Sequence, residues 1–150
     1  MAVGSRDQGS NAAHNKAELY SHSTSSWKTK ASYAFHEAIW TFEILSYSDS
    51  FVLFGGFDGK IFHSITTIAE FNSGSNEWTK LGSLQYARHG FGVIESDTKY
   101  IVIGGWRDRR TETCELKNQT IQCTSREPTL NYFQYYPALM IVPSDYANNC

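Results

Sequence analysis

The sequence has little proline, little cysteine and no marked excess of either charge. Only 3 prolines occur among 150 residues, too few for a proline-rich linker or a collagen-like chain. The 13 lysines and arginines nearly balance the 15 aspartates and glutamates, which leaves a formal net charge of −2. Because so small a charge exerts no long-range attraction on phosphate backbones, we expect no nucleic-acid partner. No apolar run approaches the roughly 20 residues of a membrane-spanning helix, so we expect no membrane insertion.

The composition suits a single β-rich domain. A chain of 150 residues can bury one core but is short for two ordinary domains. Hydrophobic residues make up 41% and charged residues 19%, a balance that excludes charge-driven disorder. Aromatic residues reach 15%, and together with the β-branched residues they favour strands over helices. The 11 glycines suit many tight turns.

An apolar run that ends in two glycines occurs twice in the chain. Residues 51–56 end in Gly55 and Gly56, and residues 100–105 end in Gly104 and Gly105. The two copies lie about 50 residues apart, and residues 2–5 form a weaker third copy. This spacing indicates a sequence repeat.

A second landmark follows each copy in the same order. A small, an acidic and an apolar residue stand together at 17–19, 69–71 and 114–116. Eight or nine residues beyond the acidic position come Trp27, Trp78 and, in the last copy, Cys123. Apolar strand candidates then precede the next glycine pair, which predicts four strands for each repeat.

This ordered set resembles the kelch repeat, in which each copy forms one blade of a β-propeller. The resemblance implies an all-β fold: a kelch-type β-propeller segment of four-stranded antiparallel blades, two complete and one partial at either end. The complete blades would span 33–82 and 86–125, with outer strands of an incomplete blade at 1–32. A further blade would begin at 131–150, with its innermost strand at 137–142. The glycine pairs would permit close backbone approach, and Trp27 and Trp78 would cover the neighbouring sheet.

Closure of such a fold requires more sheets than this chain supplies. Propellers close with about four to eight blades. Open sheet faces and unpaired strand edges promote association. We therefore expect further blades or another chain to complete the structure.

The resemblance also implies a binding surface made by loops at one end of the propeller. In kelch substrate adaptors the residue before the innermost strand is often a pocket arginine, and Arg88 matches that position. The loops that follow the glycine pairs offer Asp58, Lys60, Arg107 and Asp108. Because arginine forks bind carboxylates in a bidentate manner, we expect a protein or peptide partner, acidic in character. A solvated charge or an ion pair between neighbouring blades is the alternative for each of these residues.

Two cysteines and a glycosylation pattern bear on the compartment. Cys114 and Cys123 flank a predicted hairpin turn and could form a disulfide there. The same turn holds Asn118-Gln119-Thr120, an acceptor pattern for N-glycosylation. Together they favour an extracellular setting, whereas reduced cysteines in the cytoplasm remain the alternative. The first ten residues lack the apolar centre of a secretory signal.

No catalytic or metal-binding pattern stands out. The five histidines are scattered and show no ligand spacing, so we expect no metal and no cofactor. A propeller enzyme of the galactose-oxidase type is the least favoured function, because no copper set of tyrosine, histidine and cysteine is evident. We expect instead a non-enzymatic protein-interaction scaffold. A secreted or cell-surface glycoprotein of mainly structural role is the alternative.

Overall fold

The fold consists entirely of β-strands and connecting loops wherever it is described. The computed structural model describes residues 2–6, 13–30, 34–47, 50–126 and 129–141. Within these ranges it contains thirteen strands and no helix, so the expected all-β class is confirmed. The strands are β1 (Ala2–Arg6), β2 (Ala13–Ser21), β3 (Ser26–Thr29), β4 (Ile39–Trp40), β5 (Glu43–Tyr47), β6 (Ser50–Phe54), β7 (Phe57–Asp58), β8 (His63–Asn72), β9 (Glu77–Arg88), β10 (Gly92–Ser96), β11 (Lys99–Ile103), β12 (Thr111–Lys117) and β13 (Thr120–Arg126).

Antiparallel pairing groups these strands into three successive units. The N-terminal sheet is β1-β2-β3. The central unit is β5-β6-β8-β9, and the C-terminal unit is β10-β11-β12-β13. Within the central and C-terminal units these strands follow one another in the sheet in the order of the chain.

The central and C-terminal units also touch edge to edge. β13 pairs in parallel with β9 at Ile121–Gly82 and Gln122–Ser83. A side chain at Gly82 would collide with the Ile121 carbonyl, so this close pairing requires glycine.

Two apolar cores lie between the units. One lies between the central and C-terminal units and includes Val52, Phe54 and Val102. The other lies between the N-terminal sheet and the central unit and includes Leu53 and Ile39. Adjacent residues of β6 therefore point into different cores, as the period of a strand requires, and the whole apolar run is covered on both faces.

Several predicted boundaries differ from the observed ones. β9 continues to Arg88, so the gap predicted between 82 and 86 lies inside a strand. The strand continues because Ser83 and Arg88 still pair with β8. The strand predicted at 137–142 is absent over the described residues 137–141, where no neighbouring strand pairs with the chain.

The hairpin register also corrects the alignment of the third repeat. Trp78 lies opposite Phe71 in the central unit, whereas Ile121 lies opposite Leu116 in the C-terminal unit. Ile121, and not Cys123, therefore occupies the cross-strand position of the tryptophan. The C-terminal hairpin turn is two residues shorter, and sequence spacing alone did not allow for that difference.

Candidate functional site

The loops that follow the glycine pairs meet at one end of the strands, which we call the glycine-loop end. There Gly56 donates its N–H to the Arg88 carbonyl at 3.0 Å, and Trp106 donates to the His89 carbonyl at 3.0 Å. Gly105 likewise donates to the Gln134 carbonyl at 2.8 Å. Backbone hydrogen bonds to Arg88, His89 and Gln134 thus hold the two glycine loops in place.

Arg88 lies beneath these loops in a buried network of charged groups. Its side chain is almost fully buried, and its Nη2 lies 2.7 Å from Glu112 Oε1. Its Nη1 donates to the carbonyls of Gly104 and Arg110 at 2.8 and 3.0 Å. Glu112 Oε2 also accepts the N–H of Gln85 at 2.7 Å. Because β9 carries Arg88 and β12 carries Glu112, this ion pair joins the central unit to the C-terminal unit.

Asp108 extends the network towards solvent. Its carboxylate accepts two hydrogen bonds from the Arg110 guanidinium, both 2.8 Å long, and lies 3.7 Å from Arg88 Nη2. Burial by itself raises the pKa of Asp108, but hydrogen bonds from Arg110 and the charges of both arginines outweigh burial and hold the pKa below its ordinary value. The Arg110 guanidinium also lies 3.5 Å from the centre of the Tyr86 ring.

The predicted binding residues therefore divide into two groups. Arg88, Asp108 and Asp58 are buried. For Arg88 and Asp108 the structure shows the alternative kept open from sequence, an ion pair between neighbouring units. Asp58 Oδ1 accepts the N–H of Lys60 at 2.6 Å, a bond that closes its own turn.

Lys60 and Arg107 form the second group, because both are exposed. Arg107 has a φ of 55° and places its guanidinium 5.4 Å from the centre of the Trp106 ring. Of the five predicted residues, these two remain accessible to a partner.

Exposed aromatic side chains lie beside Arg107 and Arg109 at the glycine-loop end. Trp106 is 52% exposed, and its ring lies 5.1 Å from Tyr135 and 6.5 Å from His89. Phe133 is also exposed, with the Arg109 guanidinium 5.7 Å from its ring. We call this set the aromatic–arginine surface; its members are Trp106, Arg107, Arg109, Phe133 and Tyr135.

His89 borders this surface and contacts a serine. Ser64 Oγ lies 2.8 Å from His89 Nδ1, and the Phe57 ring packs edge-on 5.0 Å from the imidazole. Burial lowers the pKa of His89 and favours its neutral form. Among the described residues no carboxylate is hydrogen-bonded to His89, so the third member of a Ser-His-acid triad is absent there.

The sequence analysis missed the aromatic members of this surface. Trp106 directly follows the second glycine pair, and that position could have indicated a loop tip beside Arg107. Tyr135 and Phe133 gave no such signal, because their segment was predicted only as the approach to a strand. They reach the surface because Gln134 accepts the hydrogen bond of Gly105.

The two predicted tryptophans differ in burial. Trp78 packs against Phe35 and Phe71, with ring centres 5.1 and 5.3 Å away, and is partly buried between units. Trp27 is 55% exposed and packs on Tyr20 of its own sheet. That Trp27 covers a neighbouring sheet stays a prediction, because its described ring contact is with Tyr20 of its own sheet.

The outer hairpin of the C-terminal unit carries the predicted cysteine pair. Cys114 and Cys123 are directly opposite in β12 and β13 and form a disulfide. Asn118 lies at the exposed turn of this hairpin with a φ of 50°. Disulfides form and persist in oxidising compartments.

The disulfide also bears on metal binding. Glu112, Cys114 and Cys123 place donor atoms within 4.8 Å of one another. Both sulfurs are joined to each other, and Glu112 already accepts hydrogen bonds from Arg88 and Gln85. These residues therefore do not fit a metal ion in this state.

The described part of the chain also holds no helix long and apolar enough to cross a membrane.

Comparison with known proteins supports the fold. No family model matches the chain, and no curated protein matches it. A solved structure described as "Structure of YjhT" superposes with a TM-score of 0.75 at 12% sequence identity. The match covers 88% of this chain and 49% of that one, so this chain spans about half of that structure's length. At this identity the likeness shows the fold alone, and the strand pairing described above fits a β-propeller-like fold.

Proposed function

We propose that the protein is a non-enzymatic protein-interaction scaffold built from kelch-type propeller blades. The central and C-terminal units would be complete four-stranded blades, and the N-terminal sheet an incomplete one. A repeated backbone contact supports this assignment: Gly90 donates to the Thr41 carbonyl at 2.9 Å, and Tyr136 donates to the Gly90 carbonyl at 2.7 Å. The segment 134–141 would then begin a further blade.

Exposed apolar groups at both ends of the array fit a need for further blades or another chain. Trp27 and Tyr20 are exposed on the N-terminal sheet, and Met140 and Ile141 are exposed beyond the C-terminal unit. Adjoining blades would cover these side chains, which otherwise favour association.

The aromatic–arginine surface carries the proposal of an interaction role. Tryptophan, tyrosine and arginine contribute most of the binding energy at protein interfaces, and exposed apolar patches mark such interfaces. Arg107 and Arg109 are exposed there, whereas Asp108 of the same loop and Asp58 of the other glycine loop are buried and bonded within their own turns. The accessible charge is therefore positive, which suits an acidic peptide.

Selection from a displayed random peptide library tests this role. We expect the wild-type chain to enrich peptides with Asp and Glu beside an apolar residue. Trp106→Ala and the double variant Arg107→Ala/Arg109→Ala should each weaken binding of an enriched peptide at least about tenfold, as expected for interface anchors. Trp27→Ala is the matched control, because Trp27 is equally exposed but lies on the N-terminal sheet. Equal binding by Trp106→Ala and Trp27→Ala would overturn the assignment of the surface.

The disulfide favours a second candidate, a secreted or cell-surface glycoprotein whose propeller is mainly structural. Cys114 and Cys123 would stabilise the outer hairpin, and a glycan on Asn118 would project from its exposed turn. Intact mass measured without reductant on protein from a secreting eukaryotic cell tests this candidate. A mass that matches three free thiols and no glycan would count against it.

A further inference from the structure

A cleft opens between the central and C-terminal units at the end of the strands away from the glycine pairs. Its volume is about 350 Å³, within the range of roughly 300–1,000 Å³ found for small-molecule sites. The cleft lies above the edge where β9 and β13 pair, and hairpin-turn residues from both units form its rim.

Apolar and aromatic side chains form one part of the cleft lining, and Asn72, Ser75, Thr79 and Gln119 add uncharged polar groups. Val52, Tyr100 and Ile121 are buried at its floor, and Leu81 and Leu116 line its sides. Leu116 is itself exposed to solvent through the opening. An apolar group that entered the cleft would leave water on contact with these side chains.

A single carboxylate lies on the wall of this apolar cleft. Glu70 pairs across the sheet with Val52 on one side and Thr79 on the other, and all three line the cleft. No residue in the described part of the chain forms an ion pair or hydrogen bond with the Glu70 carboxylate. The equivalent acid of the C-terminal unit differs, because Glu115 lies 2.8 Å from the amines of both Lys99 and Lys117.

An adjoining cavity also combines apolar and acidic side chains. It shares Tyr100 and Leu116 with the first and adds the acidic residues Glu95 and Asp97. Its volume is about 250 Å³. No lysine or arginine belongs to the lining of either cavity. The linings of the two adjoining cavities thus combine apolar side chains with acidic ones and contain no basic one.

We propose that this cleft binds a small organic ammonium ion with an apolar body. The apolar body lies over Tyr100, Leu116 and Ile121, and the ammonium group donates hydrogen bonds to Glu70. A carboxylate beside buried apolar side chains favours a cation, because a charge-assisted hydrogen bond to the carboxylate is stronger than a neutral one. An anion of the same shape is rejected by the same charge.

Two probes of equal shape test the proposal. 2-Phenylethylammonium and neutral 2-phenylethanol are titrated separately, and the backbone amide signals of Tyr100, Leu116 and Ile121 are followed by NMR. We expect the ammonium probe to bind at least about tenfold more tightly than the alcohol, since a hydrogen bond to a charged group supplies that preference.

Three variants assign the preference to the cleft. Glu70→Gln should reduce the preference to about twofold or less, whereas Glu115→Gln, with the same change in charge, should retain it. Leu116→Trp fills the opening and should abolish binding of both probes. Equal binding of the two probes to wild type, no shift of the three amides, or an unchanged preference in Glu70→Gln would each overturn the proposal. The amide spectra themselves show whether each variant is folded.

Discussion

The two junctions between successive units share one backbone contact but differ in side-chain chemistry. At the first junction, Gly4 lies against the Ile39 carbonyl and the Phe42 ring. At the second, Gly55 lies against the Arg88 carbonyl and the Phe91 ring. Ile39 and Arg88 therefore occupy equivalent places, and both are buried.

The difference distinguishes the contacts that hold neighbouring units together from the charged groups that fix their relative orientation. Ile39 belongs to an apolar cluster with Phe35 and Leu53. Arg88 instead requires Glu112 and Asp108 to compensate its buried charge. Since an apolar residue serves at one junction, the charge at the other is not needed for packing. Buried ion pairs often add little net stability over apolar groups, but their geometry restricts how two elements dock.

Removal of one partner at the charged junction should have the largest effect. Arg88→Ala leaves the Glu112 carboxylate buried without its cation, which costs about 3–5 kcal/mol in the free energy of unfolding. Urea unfolding followed by tryptophan fluorescence measures this loss.

Arg107→Ala is the control for that variant, because Arg107 is exposed and its loss should change the free energy of unfolding by less than about 0.5 kcal/mol. Equal stability of Arg88→Ala and wild type would show that the ion pair is not buried in solution. Arg88→Met with Glu112→Leu, which imitates the apolar junction, should lose less than either single substitution.

The backbone contact shared by both junctions should give a smaller effect. Gly55 has a φ of 50°, and a methyl group there would lie 2.8 Å from the Phe91 ring and 2.9 Å from the Arg88 carbonyl. Gly55→Ala should therefore cost at least about 1–2 kcal/mol from backbone strain alone. Thermal unfolding measures the loss, with Gly74→Ala in an exposed turn as the control. A Tm as high for Gly55→Ala as for Gly74→Ala would contradict the contact.

The smallest expected effect is the pH dependence of the charged junction. The folded-state pKa of Asp108 lies below its ordinary value, so its stabilising contribution is present above that ordinary value and is lost as the pH falls through the folded pKa. Wild type should exceed Asp108→Asn by about 1–2 kcal/mol at neutral pH. That difference should shrink towards zero in acid.

Urea unfolding over a series of pH values tests this sign. Gly74→Ala, in an exposed turn and without a titrating group, is the control and should differ from wild type by a constant amount. A difference for Asp108→Asn that grows in acid would contradict the prediction.

Much of the fold could be predicted from local patterns in the sequence. Alternation and turn residues predicted the strands around the glycine pairs, because a strand with both faces covered reads as a continuous apolar run. The Cys114–Cys123 pairing could also be predicted, since two cysteines placed equally about a short turn lie opposite each other in a hairpin. The end of β9 could not be predicted, because its last residues are held by β8 and by Glu112.

Less of the candidate sites could be predicted from the sequence. Arg88 was predicted at a binding surface, but it is buried once the C-terminal unit docks and supplies Glu112 from 24 residues away. Trp106 and Tyr135 meet only because two separate loops converge on His89. Glu70 resembles Glu115 in sequence, and only the placement of Lys99 and Lys117 distinguishes a neutralised acid from a free one.

The local structure of this protein was determined by the amino-acid sequence itself. Strand periodicity and the hairpin that pairs the two cysteines depend on neighbours within a few residues. Tertiary structure alone decided which charges are buried, which aromatic rings meet and which carboxylate lines the cleft between two units. Each of these depends on how one sheet packs against the next, and the partner atoms lie too far along the chain for local sequence to specify.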